Sequence, residues 1–154
     1  MKKILIIEDN EDVRENITEI LELANYEVLA AENGKVGVSY AQQHHPDLII
    51  CDIMMPELDG YGVLHILSKN PSTAPVPFIF LTAKAEKDDF RKGMNLGADD
   101  YLTKPFDDIE LLDAVETRLK KGEMFSKTFE NNLDGLNQLM DTARGLEELK
   151  NLSK

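Results

Sequence analysis

Three carboxylates, one hydroxyl and one ammonium stand where apolar runs of this 154-residue chain break off. Glu8 and Asp9 follow ILII (4–7), and Asp52 follows LIIC (48–51). Thr82 follows FIFL (78–81), and Lys104 comes just after DYLT (100–103) and just before Pro105. Asp52 has no lysine or arginine within ten positions on either side, so its local neighbours offer it no countercharge. If these groups meet, their chemistry is constrained. Two anions ~4 Å apart repel by roughly 4 kcal/mol at an effective dielectric of about 20. Three would drive a carboxyl pKa upward unless a cation sits among them. Hard oxygen ligands suit magnesium, which favours one or two carboxylates, retained waters and a phosphate. His44, His45 and His65 lie elsewhere in the pattern, which argues against zinc.

A carboxylate can also act as a nucleophile and form an aspartyl phosphate. The transferred phosphoryl group carries spread negative charge, so its catalysis is mostly positioning and electrostatics. Magnesium, the Lys104 ammonium and the Thr82 hydroxyl could hold three sides of such a group. Asp52, alone at its run's end, is the candidate nucleophile. The adjacent pair Glu8 and Asp9 suits the metal better.

The elements that must bring these residues together follow from periodicity. ILII (4–7), EVLAA (27–31), DLIIC (47–51), PFIFLTA (77–83) and DYLT (100–103) predict strands. Between them, apolar residues at helical spacing predict helices from Glu11, over 35–44, 60–68 and 87–96, and a long one through Ile109, Leu112 and Leu119. Five βα units with mostly continuous apolar strands imply an α/β fold, a doubly wound five-stranded parallel sheet covered on both faces. Ligands of such sheets sit beyond the carboxyl ends of the strands, where the five candidate residues fall.

Composition narrows the class. Seventeen basic and 29 acidic residues give a net charge of −12, which argues against nucleic acid or anionic membrane as a direct partner. The single cysteine, Cys51, excludes an internal disulfide and suits a reducing compartment. It reads as a small core residue. The basic start MKK leads into only four apolar residues, too few for a signal peptide or a membrane span, so a cytoplasmic protein is expected. Residues 122–154 carry no strand pattern. Phe129, Leu133, Leu136, Met140 and Ala143 instead form a stripe of coiled-coil character, weakened by Gly122, Gly135 and Gly145.

Taken together, "IIEDN", "IICDIMMPELDGYG", "FLTAK" and "DDYLTKPF", in this order, resemble the receiver domain of two-component response regulators. The resemblance implies a flavodoxin-like receiver domain over 1–121 and a helical linker over 122–154. It implies that Asp52 accepts phosphate from a phosphohistidine on a sensor histidine kinase or phosphotransfer protein. Glu8 and Asp9 would hold Mg2+, Asp9 directly and Glu8 through water, with the Met54 carbonyl completing the site. Lys104 would pair with the phosphoryl group, through a Lys-Pro bond that is usually cis in this family. Thr82 and Tyr101 would form the switch pair, with Met54 and Lys84 tuning the rate.

The tail's "ARGLEELKNLS" has a weaker likeness to the linker that precedes Crp/Fnr-type DNA-binding regions in some long response regulators, so the chain would stop before a transcriptional output domain. A homodimer could form through the face made by the helix over 87–96, the last strand and the helix after it. Lys92 and Glu110 could pair there, but Ala114 stands where an arginine is common, and the tail helix competes as the seam.

Other readings stay open. A stand-alone receiver acting as a diffusible binding module would end near Lys121. An aspartate-nucleophile phosphatase would want a second aspartate where Met54 stands. An interaction domain that never takes phosphate would not need the acidic pair and the lysine. Individually, Thr82 could only cap a turn, Tyr101 could only pack, Asp59-Gly60 could be a plain turn, and Asp99-Asp100 could be a plain acidic turn or a dimer contact.

Overall fold

Apolar β-branched and aromatic residues build five short parallel strands. They are β1 (Lys3–Ile7), β2 (Glu27–Ala31), β3 (Leu48–Asp52), β4 (Phe78–Thr82) and β5 (Asp100–Thr103). The computed structural model describes residues 1–83, 94–95 and 97–120. Strand order is β2-β1-β3-β4-β5, the doubly wound order in which the winding reverses between β1 and β3. All pairings are parallel, with Ile7 opposite Cys51, Asp52 opposite Leu81 and Thr82 opposite Thr103. The expected α/β sheet is therefore present, and Met1–Leu119 forms one compact unit.

The central strands β3 and β4 are buried along their whole length, because helices cover both faces. Alternation sorts their side chains into two cores. Leu5, Ile7, Ile49, Cys51, Phe78 and Phe80 face α2 (Gly34–His44) and α3 (Gly60–Ser68). Ile4, Ile6, Ile50, Ile79 and Leu81 face α1 (Glu11–Leu23) and the helical residues 108–120, which contribute Leu111, Val115 and Leu119. Cys51 is fully buried, and burial, then the neighbouring carboxylates, push its thiol well above the usual range.

Side-chain caps fix how the chain leaves the strands. Asn10, Asn33 and Asp59 accept from the backbone N–H groups of Val13, Val36 and Gly62 at 3.1, 2.9 and 2.8 Å. At the opposite end of the sheet two aspartates act as paired clasps. The Asp47 N–H donates to the Lys3 carbonyl at 2.7 Å while its carboxylate accepts from the Lys3 N–H at 2.7 Å. Asp99 repeats the arrangement on Phe78, at 2.8 Å in both directions.

These contacts correct two expectations. Asp47 lies before β3 instead of opening it, while the strand ends on Asp52 as the strand-end pattern expects. Asp99 is a clasp and not a plain acidic turn. The helix expected over 87–96 falls outside the described residues except for Met94 and Asn95, which are helical. Lys84, Lys92 and the tail stripe of 122–154 also lie outside them. No helix among the described residues is long and apolar enough to cross a membrane.

Candidate functional site

β1 and β3 are neighbours, so the residues that end them share the crevice at the reversal of winding. Glu8 continues the β1 ladder, its N–H donating to the Ala31 carbonyl at 3.1 Å, and its side chain is fully buried. Asp9, one residue on, is exposed. Asp52 is only 6% exposed. One carboxylate oxygen from each of the three lies within 4.8 Å of the others. The sheet thus gathers the three acids that the strand-end pattern singles out.

Lys104 reaches this cluster from the far edge of the sheet. Its N–H donates to the Thr82 carbonyl at 2.6 Å, which extends the β4–β5 pairing past Thr103. Its ammonium then donates to a Glu8 oxygen at 2.8 Å and stands 3.6 Å from an Asp52 oxygen. The Lys104–Pro105 peptide is cis. Thr82 is buried at the end of β4. Tyr101 is half-buried against the core that holds Phe80, its register partner. Thr82 and Tyr101 therefore project from one face of adjacent strands, two residues out of register. Met54, in the segment following Asp52, is 76% exposed.

The electrostatics of Glu8 follow from this geometry. Burial, then the neighbouring Asp52 carboxylate, raise its pKa from 4.5 to about 7, with Lys104 pulling the other way. Its second oxygen is buried without a hydrogen-bond partner among the described residues. A buried, unpartnered carboxylate oxygen within an all-oxygen cluster fits a small hard cation.

Two further residues support the site from behind. Arg14, one turn into α1, donates from Nη1 to the Glu8 carbonyl at 2.9 Å and so braces the β1 exit. Its only sequence cue is that it is the one basic residue in an acidic helix. Gly60, at the turn into α3, has a packing task as well. A Cβ there would meet the Asp52 carbonyl oxygen at 2.4 Å, so the backbone behind Asp52 can approach α3 only because the side chain is missing.

Comparison with known proteins gives the same picture. A family model for the response regulator receiver domain matches residues 4–116. The DNA-binding dual master transcriptional regulator RpaA of Synechocystis is 41% identical over 121 residues, covering 79% of this chain and 50% of RpaA. Protein PilH of Pseudomonas aeruginosa is 40% identical over 119 residues, covering 77% of this chain and 98% of PilH. The chain thus spans about half the length of the transcriptional regulators it matches, and nearly all of PilH. Among solved structures, the receiver domain of sensor histidine kinase PA1611 from P. aeruginosa superposes with a TM-score of 0.73 at 31% identity, covering 77% of this chain and 98% of that one. That structure has a magnesium ion coordinated in its active-site cleft. With its sheet order, its strand-end acidic pocket and these matches, the chain belongs to the response regulator receiver domain family, a module of two-component signalling.

Proposed function

We propose that this receiver takes a phosphoryl group on Asp52 from a phosphohistidine of a sensor histidine kinase or phosphotransfer protein. An Asp52 oxygen forms the new bond to phosphorus as the donor's N–P bond breaks, and the histidine nitrogen keeps the electron pair. The observation that carries this reading is the pairing of a nearly buried strand-end carboxylate with an ammonium 3.6 Å away, beside two further acids. Glu8, Asp9, Asp52 and the Met54 carbonyl would hold Mg2+, which when bound offsets the charge of the incoming group. Lys104 orients toward the transferred group and stabilises its oxygens. The Thr82 hydroxyl turns to the phosphoryl oxygen, and the Tyr101 ring moves inward behind it. That local event biases the face formed by β5 and its flanking helices between two arrangements.

The output is transcriptional in this reading, which the transcriptional regulators among its relatives support. Residues 1–121 act as the receiver, and 122–154 as a helical linker toward an output region. Dimerisation would use the β5 face or the linker helix, and the protein would work in the cytoplasm. A second reading, a stand-alone receiver, is favoured by one observation: the match covers 98% of PilH.

The test is intact-mass spectrometry after incubation with acetyl phosphate, with and without Mg2+, beside Asp52→Asn. One added phosphate is expected, only with Mg2+ and only when Asp52 is present. Labelling that survives in Asp52→Asn would overturn the assignment.

A further inference from the structure

Helix α2 supplies no side chain to the acidic pocket, yet it touches both chain segments that carry the pocket. It does so through two glycines one turn apart. A Cβ on Gly37 would lie 2.4 Å from Ile7 Cδ1 and 2.7 Å from Ile7 Cγ1, and Ile7 immediately precedes Glu8. A Cβ on Gly34 would lie 2.6 Å from the Leu58 carbonyl oxygen and 3.0 Å from Leu58 Cβ and Cγ. Leu58 belongs to the segment 53–59, which leads from Asp52 past Met54 to α3.

That segment is closed at its neck. The Ile53 N–H donates to the Leu81 carbonyl at 3.0 Å, and the Gly60 N–H donates to the Ile53 carbonyl at 2.9 Å. Within the neck, Met55 is buried in the core and Leu58 is half-buried. The Leu58 side chain sits over Gly62, where a Cβ would come within 2.6 Å of Leu58 Cδ1. Lys35 and Glu57 also span α2 and the segment at 3.6 Å, but each is 75% exposed. A pair that solvated holds little. The close approach of Leu58 to Gly34 is a link between segment and helix that does not depend on that pair.

We infer that Gly34 is a positioning residue for the metal pocket. By admitting Leu58 against the first turn of α2, it sets how far Met54 and the Asp52 end of the segment stand from Glu8 and Asp9. Met54 and Glu8 thus refer to one ruler, the face of α2 that carries Gly34 and Gly37. The obstructing atom at Gly34 is a backbone oxygen, which cannot rotate away, so an added methyl must change the spacing between the segment and α2. Mg2+ demands near-ideal octahedral geometry, with metal–ligand distances of about 2.1 Å, so the spacing of its ligands matters. The inference rests on the magnesium reading given above.

The experiment is a Mg2+ titration of the full chain followed by backbone amide NMR shifts, without phosphodonor. Wild type, Asp9→Asn, Gly34→Ala, Leu58→Ala and Thr73→Ala are compared, with Tm recorded for each. Thr73 is a buried residue whose hydroxyl donates to the Leu67 carbonyl at 2.6 Å, just beyond the C-terminal end of α3, and it serves as the control for plain destabilisation. Gly34→Ala and Leu58→Ala are expected to raise the Mg2+ Kd by about tenfold, while Thr73→Ala lowers Tm and leaves Kd within about twofold. A folded Gly34→Ala with the wild-type Kd overturns the inference alone. If Gly34→Ala does not fold, Leu58→Ala with the wild-type Kd overturns it. An equal rise in Thr73→Ala does the same, because the effect is then general. A wild type with no saturable response sensitive to Asp9→Asn overturns the magnesium reading and the inference together.

Discussion

The Lys104 ammonium sits 2.8 Å from the fully buried Glu8 and 3.6 Å from Asp52, so its close partner is the innermost acid and not the candidate nucleophile. The lysine thereby keeps a buried charge tolerable while standing within reach of Asp52. Lys104→Met removes that support. Stripping one partner from a buried pair costs ~3–5 kcal/mol when the other stays charged, and less here because Lys104 remains 24% exposed. The loss should be larger at about pH 8 than at about pH 5.5, where Glu8 can take up a proton. Urea unfolding at both pH values in chelator checks it, and equal losses would mean that Glu8 is not the partner that matters.

Glu8 also makes stability depend on pH in an unusual direction for a carboxylate. Its folded pKa, about 7, lies above its ordinary value of 4.5. The folded state then holds the proton more tightly than the unfolded state. Its contribution is fully present below pH ~4.5 and is lost as pH rises through about 7. The swing has an upper bound of about 3 kcal/mol. Glu8→Gln should flatten the pH dependence of the urea midpoint over this window. Mg2+ should restore stability on the alkaline side, by about 2.7 kcal/mol at a hundred times its Kd. If Mg2+ stabilises equally at pH 5 and pH 8, proton and cation are not competing for the pocket.

Gly60→Ala should damage both stability and phosphoryl uptake. The added Cβ would meet the Asp52 carbonyl oxygen at 2.4 Å and the Ile53 Cα at 2.9 Å, and both are backbone atoms. Overpacking of this kind costs about 1–3 kcal/mol. Because the displaced peptide belongs to Asp52 itself, acetyl phosphate labelling should slow even in the folded fraction. Labelling at the wild-type rate in a destabilised Gly60→Ala would separate packing from chemistry.

The Asp99 clasp predicts a local effect on β4. In Asp99→Ala the Phe78 N–H loses its acceptor, a loss of about 1–3 kcal/mol for a group left unpaired. Asp99→Asn keeps an acceptor oxygen and should recover most of it. Hydrogen exchange at Phe78 is the direct readout: faster in the alanine variant, near wild type in the asparagine variant.

What the sequence made legible was the frame. Apolar runs mark all five strands to within a residue or two, because central parallel strands must be apolar on both faces. The strand ends then name Glu8, Asp9, Asp52, Thr82 and Lys104. The shift at β3 arose because Asp47 looks like a strand opener, whereas its carboxylate is spent on the Lys3 N–H. Glu8 and Asp9 look interchangeable in sequence, yet one is buried and the other exposed. That difference depends on which way the chain leaves β1, set by the Ala31 bond and the Asn10 cap. The tie between Lys104 and Glu8 spans 96 positions, and no local pattern encodes it. The close approaches at Gly34 and Gly60 are likewise facts of three dimensions.

Cys51 turns the chain into its own folding gauge. It is the sole thiol, it is fully enclosed beside Asp52, and its environment suppresses the thiolate. A thiol-reactive dye can therefore label it only in molecules whose central sheet has opened. Labelling rate then counts the excursions of β3, without any engineered reporter, in the same tube as a phosphorylation reaction. Ligands that bind the crevice should slow that clock, and substitutions that loosen β3 should quicken it.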